Sequence, residues 1–436
     1  RNSLFTGDTL GAGQFSFQRP LLVLVDRNID LATPLHHTWT YQALVHDVLD
    51  FHLNRVNLEE SSGTETSPAG ARLEESSGTE TSPAGARPKR KNKKSYDLTP
   101  VDKFWQKHKG SPFPEVAESV QQELESYRAQ EDEVKRLKSI MGLEGEDEVK
   151  RLKSIMGLEG EDEGAISMLS DNTAKLTSAV SSLPELLEKK RLIDLHTNVA
   201  TAVLEHIKAR KLDVYFEYEE KIMSKTTLDK SLLDIISDPD AGTPEDKMRL
   251  FLIYYISAQQ APSEADLEQY KKALTDAGCN LNPLQYIKQW KAFAKMASAP
   301  ASYGNTTTKP MGLLSRVMNT GSQFVMEGVK NLVLKQQNLP VTRILDNLME
   351  MKSNPETDDY RYFDPKMLRG NDSSVPRNKN PFQEAIVFVV GGGNYIEYQN
   401  LVDYIKGKQG KHILYGCSEL FNATQFIKQL SQLGQK

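Results

Sequence analysis

The sequence predicts an α/β protein with a large, mainly helical insertion, in which a split parallel-sheet domain is interrupted by a helical domain. Two stretches of the 436-residue chain and the distance between them carry this reading. The apolar run Leu21 to Val25 reads as a buried strand, because strands of parallel sheets are near-continuous apolar runs. Far downstream, Ala385 to Val390 is followed by Gly391-Gly392-Gly393, an amphipathic stretch from Glu397 to Ile405, then Lys411 to Tyr415 and Ala423 to Leu433. That order spells strand, turn, helix, strand, helix. A lone strand is not stable in water, so the first segment is expected to pair with the last. The expected boundaries are residues 1–48 for the first part of the α/β domain, 49–375 for the insertion and 376–436 for the second part. Three strands fall short of the roughly five or six of an average sheet, and the chain begins at Arg1 rather than Met. The expectation is therefore a fragment that lacks an N-terminal part.

Composition narrows the class. Hydrophobic residues make up 38% and charged residues 26%, as in ordinary globular proteins, and the length allows two or three domains. A net charge of -5 does not describe a nucleic-acid binder as a whole. Two cysteines, Cys279 and Cys417, lie far apart, which fits a reducing compartment and not a disulfide scaffold.

After the first strand, Asp26 to Asp30 and Thr33-Pro34 form a turn, and the spacing from Trp39 to Leu49 predicts a helix. Residues 58–94 are rich in Ser, Thr, Glu and Gly and read as a mobile loop. Two exact duplications of fifteen residues stand out: Leu58 to Arg72 recurs as Leu73 to Arg87, and Glu131 to Gly145 as Glu146 to Gly160. On a helix, fifteen residues rotate the face by roughly 60°. The second copy could not present its apolar residues to the partner of the first, so the duplications are taken as incidental. Phe113 to Lys138 and Ala165 to Arg210 then predict a long antiparallel helical hairpin, over about 113–212. Further helices are expected at Leu228 to Ile236, Pro244 to Ser257, Ala265 to Ala277 and Leu284 to Met296. Within 303–337, Leu314, Val317, Met318, Val325, Val329 and Leu332 mark one face of a helix whose other face is rich in Ser, Thr and Asn. Such a stretch suits a reversible lid, a lipid-contacting segment or a core helix.

Catalytic constellations are weak. The glycine turn after Val390 invites a phosphate-binding reading, yet it lacks the P-loop Lys and the dinucleotide spacing, and a tight strand-to-helix turn explains it as well. Asp26 and Asp30 read as turn caps, because no nucleophile or base accompanies them. His36-His37 are adjacent and read as pointing apart, while His196 and His206 sit on different helix faces, so no zinc constellation emerges. The basic run Arg87 to Lys94 reads as solvated loop charge, with a membrane contact as the alternative.

The strand and turn Leu21 to Leu35, with Trp39 to Leu44, resemble the hallmark segment of the SM (Sec/Munc) family of SNARE-binding fusion proteins. So do Ile386 to Gly393 with Tyr395, Glu397 and Tyr398, and Ile413 to Ser418. The stretch Ser182 to Lys190 through Asn198 is similar to the Sly branch, which serves ER-to-Golgi traffic. The resemblance implies a fragment without the family's first domain and a helical hairpin that templates SNARE assembly without enzymatic chemistry. It places SNARE contacts at Pro184, Leu187, Lys190, Leu195 and Val199, and a lid or membrane-contacting segment at the six apolar residues from Leu314 to Leu332. Asp26, Arg27, Asp30, Thr33, Pro34, Gly391, Gly392 and Glu397 would be structural motif residues. The implied partners are a syntaxin-type ER-Golgi SNARE and the assembled SNARE bundle, with a tethering complex and a membrane surface as further candidates. No cofactor, metal or nucleic acid is expected, and the implied location is cytoplasmic, peripheral at ER and Golgi membranes. An amphipathic membrane-tethering or curvature-sensing protein, or a nucleotide-binding protein, are the alternatives.

Overall fold

The computed structural model describes residues 19–59, 93–140, 183–258, 260–297, 338–364 and 380–435. The expected lid residues Leu314, Val317, Met318, Val325, Val329 and Leu332, most of both duplications, and the start of the second hairpin helix at 165–182 lie outside these. In chain order the elements are β1 (Leu21–Asp26), α1 (Tyr41–Val48), β2 (Asp50–His52), β3 (Arg55–Glu59), β4 (Lys93–Asp97), α2 (Lys103–His108), α3 (Phe113–Ile140), α4 (Leu183–Arg210) and α5 (Leu212–Met223). There follow α6 (Leu232–Ser237), α7 (Pro244–Ser257), α8 (Glu264–Asp276), α9 (Asn282–Ala297), α10 (Pro340–Met349), β5 (Glu384–Val390), α11 (Tyr395–Lys406), β6 (His412–Cys417) and α12 (Ala423–Gly434).

The chain divides into two compact units, one of residues 1–47, 110–114 and 206–436, the other of 48–109 and 115–205. This differs from the expected division into 1–48, 49–375 and 376–436. The reason is the core: residues from α5 to α9 pack with Leu31 and Leu35 of the first turn and with Phe426 and Leu430 of α12. Likewise Val341, Ile344, Leu345 and Met349 of α10 pack on Val23, Val25, Val387 and Val389. Only the part up to Glu205 forms a body of its own.

The first unit holds the parallel sheet, in the order β1-β5-β6, with Val23 opposite Val387 and Glu384 opposite His412. The pairing of the first strand with the last segment is therefore as expected. Its burial is not: Val23, Val25, Val387 and Val389 are buried, but Leu22, Leu24, Val390 and Leu414 on the opposite face are 50–64% exposed. Among the described residues, one face of the sheet is uncovered, where a parallel sheet is ordinarily covered on both.

The second unit contains an antiparallel sheet, β2-β3-β4, in which Leu58 pairs with Lys94 and Glu59 with Lys93. The ends of the expected loop 58–94 are thus strand. Phe51 and Val56 are buried with Leu98 and Trp105, which gives this small sheet a core side. Helices α5 and α10 lie where the sequence pattern predicted none.

Candidate functional site

Three constellations have the makings of a site. The first lies at the C-terminal end of the parallel sheet. Asp26 caps the turn by accepting from the Asn28 amide at 2.9 Å, and Asp30 accepts from the amides of Ala32 and Thr33 at 3.1 and 3.0 Å. Thr33 and Pro34 are buried in the next turn, Thr33–Leu35. Between these caps, Arg27 points inward: its guanidinium donates to both oxygens of Glu397, at 3.0 and 2.5 Å, and to the Gly392 carbonyl at 3.2 Å. Burial works against the charge on Arg27, but the Glu397 carboxylate outweighs it and holds the pKa above its ordinary value. The Tyr415 hydroxyl also donates to Glu397, at 2.7 Å.

This geometry overturns the phosphate-binding reading of the glycine turn. The amides of Gly391 and Gly392 donate to Ser418 Oγ, that of Gly393 to the Glu419 carbonyl and that of Asn394 to the Tyr415 hydroxyl. The Asn394 side chain caps α11 by accepting from the Glu397 amide at 2.8 Å. An anion would have to displace these partners. Glycine is required for close approach: Gly392 has φ of 104°, and a Cβ there would lie 2.3 Å from the Phe421 ring. The turn is a lock between strand ends, and the nucleotide-binding alternative falls with it.

The second constellation was missed in sequence. His36 and His37 do not simply point apart; both reach Glu219 of α5. His36 Nδ1 lies 2.8 Å from Glu219, and its Nε2 2.8 Å from Glu220. His37 Nδ1 lies 2.6 Å from Glu219 and its Nε2 2.9 Å from Asp246 of α7. Arg210 forks onto Asp246 at 2.5 and 3.0 Å, and Arg249 onto Asp47 at 2.9 and 3.0 Å. Burial would lower the His36 pKa, but the two carboxylates raise it to about 9, while the same imidazoles bring Glu219 down to about 2 against the effect of burial. Asp246 is held well below the usual carboxylate range, where His37 and Arg210 outweigh burial. With each of these charges answered by another, the network ties the turn after β1 to α5 and α7. The histidines lie more than 180 residues from the carboxylates they meet, so no local spacing could reveal it.

The third constellation is the helix pair of the second unit. Asp102 caps α2 by accepting from the Trp105 amide at 3.0 Å, and its other oxygen meets His196 of α4 at 2.7 Å. The His196 ring lies 4.4 Å from that of Phe104, so the histidine fixes α4 against α2. Burial alone would raise the Asp102 pKa; the His196 and amide hydrogen bonds lower it overall. Further out, α3 and α4 are joined where Lys189 meets Glu123 and Ser126, each at 3.3 Å.

Burial then sorts the expected contact residues. Leu195 and Val199 are 3% and 0% exposed, alongside buried Ile193, Ala200 and Val203. They present no surface, which corrects their assignment to a partner-binding face. Leu187, at 65% exposed, and Lys190 lie on the outward stripe of α4, with Arg191, Asp194 and Asn198. Pro184 stands at the start of α4, in the first turn where proline is tolerated. Leu124 and Tyr127 of α3 and Leu186 and Leu192 of α4 are only half-buried, so the apolar content of the pair is incompletely covered toward this end.

Comparison with known proteins places the whole. The Sec1 family profile matches residues 2–429, and the chain belongs to that family. Human "Sec1 family domain-containing protein 1" is 92% identical over 436 residues, covering 100% of this chain and 63% of the relative. The chain thus spans less than two thirds of that relative's length. Among solved structures, Sly1p in complex with an N-terminal peptide of Sed5p matches with a TM-score of 0.61 and 24% identity, over 96% of this chain and 59% of Sly1p. The SM protein Vps45 in complex with the Qa SNARE Tlg2 matches with a TM-score of 0.60 and 19% identity, over 97% of this chain and 61% of Vps45. At these identities the structural matches define the fold.

Proposed function

We propose that this chain is the SNARE-handling part of an SM protein of the Sly branch, regulating vesicle docking and fusion in ER-to-Golgi transport. The α3–α4 pair would take hold of unstructured SNARE segments and align them for assembly. The observation that carries this reading is the incompletely covered helix pair, with Leu187 and Lys190 outward and its base fixed by the Asp102–His196 contact. An amphipathic SNARE segment laid along such a pair has its ordering entropy met partly before assembly begins, which lowers the nucleation barrier. No bond is made or broken. The solved relatives in complex with a Sed5p peptide and with Tlg2 support a syntaxin-type partner, and the assembled SNARE bundle is the second. A tethering complex and the membrane surface are further partners on this reading, and location at ER and Golgi membranes follows from them.

The test is capture of ER-Golgi SNARE cytosolic segments, singly and as a preassembled bundle, by the purified chain. Leu187→Asp combined with Lys190→Glu is expected to abolish capture while the far-UV circular dichroism is unchanged. Full capture by this double variant would remove α4 from the reading.

A further inference from the structure

A pocket of about 470 Å³ opens in the first unit between α6, α7 and α8. That volume lies within the roughly 300–1,000 Å³ of small-molecule sites. Leu233, Ile236 and Ala273 supply apolar lining, and Lys247, Lys272 and Asp276 supply charge. Lys247 is the informative residue. It is 5% exposed, and among the described residues its ammonium has one acceptor, the Asp238 carbonyl at 2.7 Å. An ammonium carries three donors, and burying it without an opposite charge is costly. By contrast, buried Arg27 and Arg249 and half-buried Arg210 are each answered by a carboxylate. Lys272, exposed on α8, likewise meets no carboxylate among the described residues.

We propose that this pocket binds a small amphipathic carboxylate, with its head on Lys247 and Lys272 and its apolar part on Leu233, Ala273 and Ala277. Two lysines against one aspartate leave the lining singly positive, which suits a singly charged head better than a phosphate monoester. The head group supplies the acceptors that Lys247 lacks, in a partly desolvated setting where a charge-assisted hydrogen bond is strongest. The site belongs to the first unit and does not depend on the SNARE reading.

The experiment is isothermal titration of the whole chain at low salt with sodium octanoate, with 1-octanol and sodium acetate as the tail-only and head-only probes. Octanoate is expected to bind about tenfold or more tightly than either control. Lys247→Met should weaken octanoate about tenfold, and the exposed substitution Lys272→Gln should weaken it in the same direction by less. Absence of octanoate binding, equal binding of octanol, or wild-type affinity in both variants would overturn the proposal. Should Lys247→Met fail to fold, Lys272→Gln and the octanol comparison decide.

Discussion

Replacing Glu397 by Gln tests whether the lock at the sheet end holds the first unit together. Glu397 is fully buried and accepts three hydrogen bonds, two from Arg27 and one from Tyr415. Gln keeps the shape, loses the charge and turns one acceptor into a donor that faces the guanidinium or the tyrosine hydroxyl. Arg27, 4% exposed, would then have only the Gly392 carbonyl and a neutral amide oxygen, and its Nε already has no acceptor. Removing one partner of a buried, hydrogen-bonded ion pair costs roughly 3–5 kcal/mol. The assay is urea unfolding followed by tryptophan fluorescence and circular dichroism, with a double-mutant cycle through Arg27→Met. The double variant should be less destabilised than the sum of the singles by roughly 1–3 kcal/mol, because it removes the orphaned charge. A Glu397→Gln cost below about 1 kcal/mol, the range of an exposed pair, or strict additivity in the cycle, would refute the reasoning.

Three further predictions concern the buried histidine–carboxylate contacts. The His36 pKa rises from 6.5 to about 9 on folding. Its contribution to stability is therefore complete below about pH 6.5 and is lost as the pH climbs through 9; urea midpoints from pH 6 to 10 should fall in wild type and fall less steeply in His36→Gln, and equal slopes would exclude His36 as the source. At the acid end, Glu219 should cost stability as the pH drops from 4.5 through 2, seen as a flatter acid limb in Glu219→Gln. In the second unit, His196→Phe keeps the ring stack but leaves the Asp102 carboxylate buried without its partner, and should cost roughly 1–3 kcal/mol. Hydrogen exchange would show the loss in α2 and α4, and unchanged protection there would mean that the contact is not a fastener.

Local signals in the sequence translated well into structure. Asp26 and Asp30 act through amides two or three residues away, and Leu21 to Val25 could pair only with another buried strand. The helix pair was legible from its period, but its outward face was not. Leu187 and Leu195 belong to the same apolar pattern, yet one is 65% and the other 3% exposed, because burial depends on which neighbours α4 meets. Strands β2, β3 and β4 escaped notice for a different reason. They are three to five residues long, and two of them border a low-complexity loop that masks their alternation. The convergence of His36 and His37 on Glu219 depends wholly on tertiary packing.

On the proposed function, SNARE segments lie on the outward stripe of α4. Photo-crosslinking tests it most directly, with benzoylphenylalanine placed at the position of Leu187 and, as a control on another exposed apolar residue of the same unit, at that of Val101. A crosslink to an ER-Golgi syntaxin-type segment is expected from the first position and little from the second. Equal labelling from both, or labelling from Val101 alone, would contradict it.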